Sequence, residues 1–299
     1  MNALKRFATS YLPAILLLLL ILITWEILAG MDMSEKFKLM APAPSRIFIS
    51  ALATDDDNAT SLGKAAGNSF KYACGIEKKD QENSGHIKLL TAGLNSFKYA
   101  GAGFLLSFIF GNLLAFIMSM ARFVERSIYP YAIFLQTVPI VAIAPIIILW
   151  IGAGPQGIIC ITFIISLFPI ITNSTSGLTS TPKEWSELMD VYKANWLQIL
   201  FKLRLPAAVP SMITGAKISA GLSVVGAIVG EYFTALSTSD NSVGYGLAYL
   251  LQSSQEHVNF PYLFAVAFAS AIMGLGIFAT VSISGLIVMK LGHFQERAI

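Results

Sequence analysis

Long apolar runs, each about as long as a bilayer is thick, alternate along this chain with shorter polar intervals. Tyr11–Leu28, Tyr99–Met120, Tyr131–Ile151, Ile158–Asn173, Ala207–Phe233 and Phe260–Met289 are the apolar runs. A helix needs about 20 apolar residues to cross hydrocarbon. The pattern therefore predicts an all-α, polytopic membrane protein with six transmembrane helices. The first run exceeds the apolar core of about 7–15 residues that a cleaved signal peptide carries, and Glu26 stands near its end, so it is read as an uncleaved span.

Two polar intervals interrupt the pattern. The first, 31–92, mixes eight Lys/Arg with eight Asp/Glu. It contains Asn68-Ser69-Phe70-Lys71-Tyr72-Ala73, repeated residue for residue 27 positions later as Asn95-Ser96-Phe97-Lys98-Tyr99-Ala100. Two copies do not make a solenoid. They read as a local duplication that lengthened an external loop, with the second copy leading into a span and the segment 67–93 dispensable for transport. The second interval, Thr181–Pro210, predicts a short amphipathic helix. Thr181 is placed to cap, Pro182 suits the first turn, and Glu184 can reach back to the cap amide. Trp185, Leu188, Met189, Tyr192 and Trp196 then recur at helical spacing between charged positions. Such a face suits neither water nor lipid and calls for a protein partner, although an ordinary interfacial helix would show the same pattern.

Composition supports this picture: 55% of residues are hydrophobic and 12% charged, against about 25% charged in soluble domains. The net charge of +3 points to no nucleic-acid partner. Cys74 and Cys160 lie in unlike surroundings, and the three histidines are scattered, so neither a disulfide nor a metal site is expected. Gly152-Ala153-Gly154-Pro155-Gln156-Gly157 matches a dinucleotide fingerprint by letter, but apolar spans flank it, so it reads as a tight turn between spans. No nucleotide-binding G-x-x-x-x-G-K-[ST] loop occurs in the chain. Hence no catalytic residue, no cofactor and no enzymatic activity is assigned, and any ATP hydrolysis would belong to a separate subunit. Asn58-Ala59-Thr60 fits a glycosylation sequon, a match common by chance.

Within the spans, few residues invite a functional reading. Gly101, Gly103, Ser107 and Gly111 allow close helix approach in lipid. Pro139 and Pro145 interrupt the third span, and Gln136, Thr137 and Pro139 are candidates to line a pathway or to mark a packing kink. Lys217 lies about 10 Å of helix beyond Pro210, within snorkelling reach of the membrane surface, and is a second pathway candidate. Glu231 lies about 21 Å further and is read as an outer gate, a partner contact or a helix cap. Basic residues in short loops set orientation. Lys5, Arg6, Arg122, Arg126, Lys183, Lys193, Lys202, Arg204, Lys290 and Arg297 fall on one side, while 152–157 and 234–259 have none. Both termini and the interval Thr181–Pro210 are therefore expected in the cytoplasm.

At that interval the chain resembles the permease subunits of bacterial ABC importers, which carry a cytoplasmic E-A-A-x3-G-x9-I-x-L-P loop. Glu187, Leu188 and Met189 stand at E-A-A, Lys193 at the glycine, and Leu203-Arg204-Leu205-Pro206 at I-x-L-P, with the spacing intact. Gly226–Phe233 resembles the nitrate/sulfonate/taurine branch. The resemblance implies the type I importer permease fold in a cell inner membrane. The expected division is an N-terminal helix (1–30), a long extracytoplasmic loop (31–92) and a five-helix permease core (93–299) with its coupling loop at 177–206. It implies that Trp185, Glu187, Leu188, Met189, Tyr192, Lys193 and Pro206 form a coupling helix for ABC ATPase subunits. It further implies an external solute-binding protein and a homodimer of permease subunits in membrane lipid. Solutes of the branch include nitrate, sulfonates, taurine, thiamine-precursor pyrimidines and flavins. The rival readings are an autonomous secondary transporter or channel, which predicts ionisable residues at mid-membrane, and a scaffold, which needs no proline-kinked spans.

Overall fold

A computed structural model describes residues 16, 17, 19–29, 42–52, 85–120, 122–237 and 246–291. Their ordered elements are helical: α1 (Leu19–Ala29), α2 (Pro44–Leu52), α3 (Gly85–Met120), α4 (Arg122–Thr137), α5 (Ile140–Ile151), α6 (Pro155–Thr179), α7 (Lys183–Val191), α8 (Trp196–Ile199), a wider π turn (Leu200–Arg204), α9 (Leu205–Ser237), α10 (Leu247–Glu256) and α11 (Phe260–Leu291). Among the described residues, four stretches are long and apolar enough to cross a bilayer: Leu89–Met120, Pro155–Thr179, Trp196–Ser237 and Phe260–Leu291. The other two expected spans correspond to the shorter apolar helices α1 and α5. The first copy of the duplication, Asp55–Asp57, the sequon, Cys74 and the terminal basic residues Lys5, Arg6 and Arg297 lie outside the described residues.

Three expectations are corrected. The span expected from Tyr131 to Ile151 is two helices, broken at Val138 and Pro139; Pro139 has no amide hydrogen to continue α4 and disfavours helical geometry in the residue before it. The second span begins well before Tyr99, since α3 starts at Gly85 and takes the last residues of the expected loop and of the segment 67–93. The interval expected as a polar loop from Ser237 to Asn259 contains α10.

The chain divides into two compact units, Met1–Thr91 with Leu250–Ala269, and Ala92–Tyr249 with Ser270–Ile299. In the first, Trp25 of α1 meets Phe264 edge-on at 6.0 Å between centroids and Phe268 at 6.2 Å. Glu26 accepts from the Ser45 amide (3.1 Å) and hydroxyl (2.7 Å), satisfying the first turn of α2. The chain leaves α10 through two tight-turn bonds, Val258 N–H to Gln255 and Asn259 N–H to Ser254. Val258 takes φ 56° there, a conformation a β-branched residue adopts only under constraint.

In the second unit α6 is enclosed by α3 and α9. Lipid offers no hydrophobic drive for helix association, so close backbone approach and interhelical hydrogen bonds take its place. A methyl at Gly226 would lie 2.7 Å from the Thr162 Cα, one at Gly230 2.9 Å from the Ile158 Cα, and one at Gly111 2.8 Å from the Ile170 side chain. The Ser219 hydroxyl donates to the Ser166 carbonyl (2.5 Å) and the Ser174 hydroxyl to Asn112 Oδ1 (2.7 Å). The Ser107 hydroxyl lies 2.7 Å from the Phe163 carbonyl. Ala100, Phe104, Ile158, Ala220, Val224 and Ile277 fill one core cluster. Gly226→Ala should therefore lower stability by about 1–3 kcal/mol through overpacking. Gly221→Ala, with nothing within 4 Å of the added methyl, should not lower it. Thermal unfolding of the two purified variants checks the difference.

Candidate functional site

The polar interval folds as a helix, a turn and a buried re-entry. α7 is short because the chain leaves it through Lys193, at φ 51°, and the Ala194 amide donates back to the Met189 carbonyl at 3.0 Å. This left-handed C-terminal turn usually employs glycine, and Lys193 stands at the glycine of the importer pattern. The lysine keeps the conformation at a cost of about 1–2 kcal/mol. The break places Trp196 on α8, off the helix carrying Trp185. The expected Thr181 cap does not form: α7 begins at Lys183, and Thr181 Oγ1 is buried without a hydrogen-bond partner. At the second turn the Asn195 amide donates to Gln198 Oε1 (2.9 Å), which starts α8.

The re-entry anchors this turn to the spans. Leu200 and Leu203 are buried with Ala115, Leu178 and Ala208. The Arg204 guanidinium donates to the Ser119 carbonyl at 2.8 Å, satisfying a last-turn carbonyl of α3 with a cation where the helix dipole favours one. Pro206 has no amide hydrogen and would press on the carbonyl four residues back; the π turn widens the helix just before it. The outer side of the turn is apolar. Trp185, Leu188, Trp196, Leu197 and Phe201 are exposed, and Val191 and Tyr192 are 79% and 76% exposed. Met189 is half-buried and Glu187 exposed. Glu187 lines a 480 Å³ cleft with Ser119, Glu125 and Arg204.

The broken helix makes a second feature. Gln136, Thr137 and Pro139 line a 580 Å³ cleft with Thr172, Asn173 and Ile218. Non-helical backbone at membrane depth is tolerated where protein or a water-filled cavity satisfies it. Lys217 is half-buried on α9 and is not part of this lining.

Glu231 sits apart from both, 4% exposed. Its Oε2 accepts from the Ser96 hydroxyl (2.9 Å) and the Ala248 amide (3.2 Å), and Ser96 Oγ accepts from the Leu247 amide (2.9 Å). The two side chains cap α10 from α9 and α3. Gly246 precedes α10, and its missing Cβ leaves the space the carboxyl group occupies. Of the three sequence readings for Glu231, this geometry is that of the helix cap. Ser96, Gly246, Arg204, Thr172 and Asn173 were not singled out as site residues by the sequence. Ser96 belongs to the second copy of the duplicated hexapeptide, the signal that could have drawn attention to it.

Apolar helices of membrane-spanning length, with a helix broken over a largely apolar cleft and a turn that exposes Trp185, Leu188, Val191 and Tyr192, have the make-up of a polytopic membrane transport protein. The family comparison agrees. The chain belongs to the family described as binding-protein-dependent transport system inner membrane component, which matches residues 103–291. It is thus the multi-pass inner-membrane permease component of an ABC importer. Similar proteins include the formylaminopyrimidine transport permease protein ThiX of Halalkalibacterium halodurans, 34% identical over 60% of this chain and 68% of the relative. The putative aliphatic sulfonates transport permease protein SsuC of Bacillus subtilis is 29% identical over 57% and 58%. The nitrate import permease protein NrtB of Leptolyngbya laminosa is 30% identical over 46% and 50%. The chain thus spans from half to about two thirds of these relatives' lengths.

Lys193→Gly should raise stability by about 1 kcal/mol by removing the left-handed strain, and Lys193→Val should lower it; thermal unfolding checks both. Glu231→Ala should cost roughly 1–3 kcal/mol, since it leaves a buried amide and hydroxyl unpaired, whereas Glu231→Gln, which retains an acceptor oxygen, should stay close to the parent. Equal losses in the two Glu231 variants would contradict the capping role.

Proposed function

We propose that two copies of this chain enclose a solute pathway, and that the turn Lys183–Arg204 couples it to ABC ATPase subunits in the cytoplasm. The observation that carries this reading is the exposed apolar side of that turn, Trp185, Leu188, Val191 and Tyr192, outside the candidate spans yet tied to α3 by Arg204. An amphipathic helix of this kind lays its apolar face in a groove of its partner. Closure of the ATPases moves the turns of the two copies together. The anchored re-entry passes that motion to α9 and, through Ser119, to α3. Both termini are cytoplasmic, and an extracytoplasmic binding protein delivers the solute. The solute falls within the range named by the relatives: a formylaminopyrimidine, aliphatic sulfonates or nitrate. An autonomous carrier would need an ionisable group open to the path, whereas Glu231 is enclosed and engaged in capping α10.

Trp185→Ala and Glu187→Ala are expected to insert normally, retain ATP hydrolysis by the complex, and lose about tenfold or more of uptake, as loss of a docking anchor does. Parallel ATPase and uptake assays on the reconstituted complex check this; undiminished uptake in both variants counts against the coupling role.

A further inference from the structure

We propose that the segment Lys193–Arg204 lies on the membrane surface where the spans end, with Trp196, Leu197 and Phe201 at the acyl boundary and Lys193 and Lys202 among anionic phospholipid headgroups. The proposal rests on the transport reading above and divides its turn in two: α7 is left to the ATPase, and the segment after it is held by lipid. Charge separates the halves. In sequence α7 has Glu184, Glu187 and Asp190 against Lys183 alone, whereas Lys193–Arg204 has Lys193, Lys202 and Arg204 and no acid; after Asp190 the next acidic residue is Glu231. An anionic leaflet attracts basic residues near its surface and repels a helix in which acids outnumber bases. The exposed apolar residues of α7 therefore fit a protein groove. Basic residues interspersed with Trp, Leu and Phe instead make the composition of an interfacial segment.

Depth points the same way. Leu200 packs with Leu178, the penultimate residue of α6, and with Ala115 of α3. Arg204 bonds the carbonyl of Ser119, the penultimate residue of α3. The segment is thus held at the level where two candidate spans stop. α6 has 25 residues, about 38 Å of helix. That is enough to cross hydrocarbon about 30 Å thick and reach the headgroups, so its end marks the membrane surface. α9 has 33 residues, about 50 Å of helix, and crosses without any residue before Leu205. Trp196, Leu197 and Phe201 are exposed on the segment. Tryptophan favours the headgroup level, where its ring meets acyl chains and its N–H meets water. Lys193 and Lys202 are exposed as well and supply the charge for lipid phosphates.

The test reads Trp196 alone, in the full-length chain carrying Trp25→Phe, Trp150→Phe and Trp185→Phe. The purified variant is placed in nanodiscs of equal phosphatidylcholine and phosphatidylglycerol, with bromine near the top of the acyl chains of one lipid or the other. Interfacial side chains sit about 5–10 Å into the headgroup and acyl boundary, within contact of that bromine. Trp196 is expected to lose about half of its emission to brominated phosphatidylglycerol and about twofold less to brominated phosphatidylcholine. Lys202→Gln should reduce that excess. A companion chain that keeps only Trp185 should retain its emission in both lipids and lose it to aqueous acrylamide. Adding an ABC ATPase subunit should protect Trp185 from acrylamide and leave the bromine quenching of Trp196 unchanged. Emission of Trp196 that is indifferent to bromine, as when a second copy covers it, equal quenching by the two lipids, or quenching that the ATPase relieves overturns the proposal. Should the triple replacement not fold, a nitroxide on Leu197→Cys, with Cys74 and Cys160 replaced by serine, reads the same surface. Relaxation by oxygen should then exceed relaxation by a water-soluble nickel chelate, and the reverse overturns the proposal. The bromine measurement needs no ATPase, so its failure and loss of coupling in the Trp185→Ala variant are distinguishable.

Discussion

Backbone contact between α6 and its neighbours is the constraint on which the rest of the second unit depends. In lipid, packing and interhelical hydrogen bonds replace hydrophobic drive, and α6 uses both, against Gly111 and Asn112 on one side and Gly215, Ser219, Gly226 and Gly230 on the other. Every functional feature on this unit except the Glu231 cap is attached to that seam. The N-terminal end of α6 receives the chain from α5 through Gly152, at φ 107°. Its middle, with Pro169, Thr172 and Asn173, forms a wall of the cleft. Its C-terminal end leads into α7.

In the proposed coupling, this seam is what would carry motion along whole helices. The proposed docking turn is fastened at its exit by buried Leu200 and Leu203 and by the bond from Arg204 to Ser119. Its outer side leaves Trp185, Leu188 and Tyr192 exposed. Fully burying one such apolar side chain contributes about 1.5–3 kcal/mol, so a partner that covers several gains enough to hold the turn while it moves. The left-handed Lys193 ends α7 soon after these residues and leads the chain into the candidate span Trp196–Ser237.

Much of this was legible in the sequence because bilayer thickness imposes a length and helical periodicity imposes a face. The long spans and the amphipathic helix after Pro182 follow from those two rules, and so does a glycine-rich turn, which occupies 152–154 because α6 already starts at Pro155. The break at Val138 was less visible, since a proline that kinks a span and one that ends a helix look alike without neighbours. The cap on α10 was hidden for a different reason. Its capping groups come from Ser96 and Glu231, more than a hundred residues apart in the chain, and no local pattern reports such a pairing. Thr181 misled in the opposite direction, with the residue types of a capping box but no bond at the hydroxyl.

If the turn after α7 is the proposed cytoplasmic seat for an ATPase, a single thiol placed on it is covered when the ATPase binds. With Cys74 and Cys160 replaced by serine, Tyr192→Cys is labelled in inside-out membrane vesicles by a membrane-impermeant maleimide, with and without a bound ABC ATPase subunit. Ready labelling of the chain alone and protection once the ATPase is bound are expected. Labelling that is indifferent to the ATPase, or that occurs only from the outer side of the membrane, would contradict that seat.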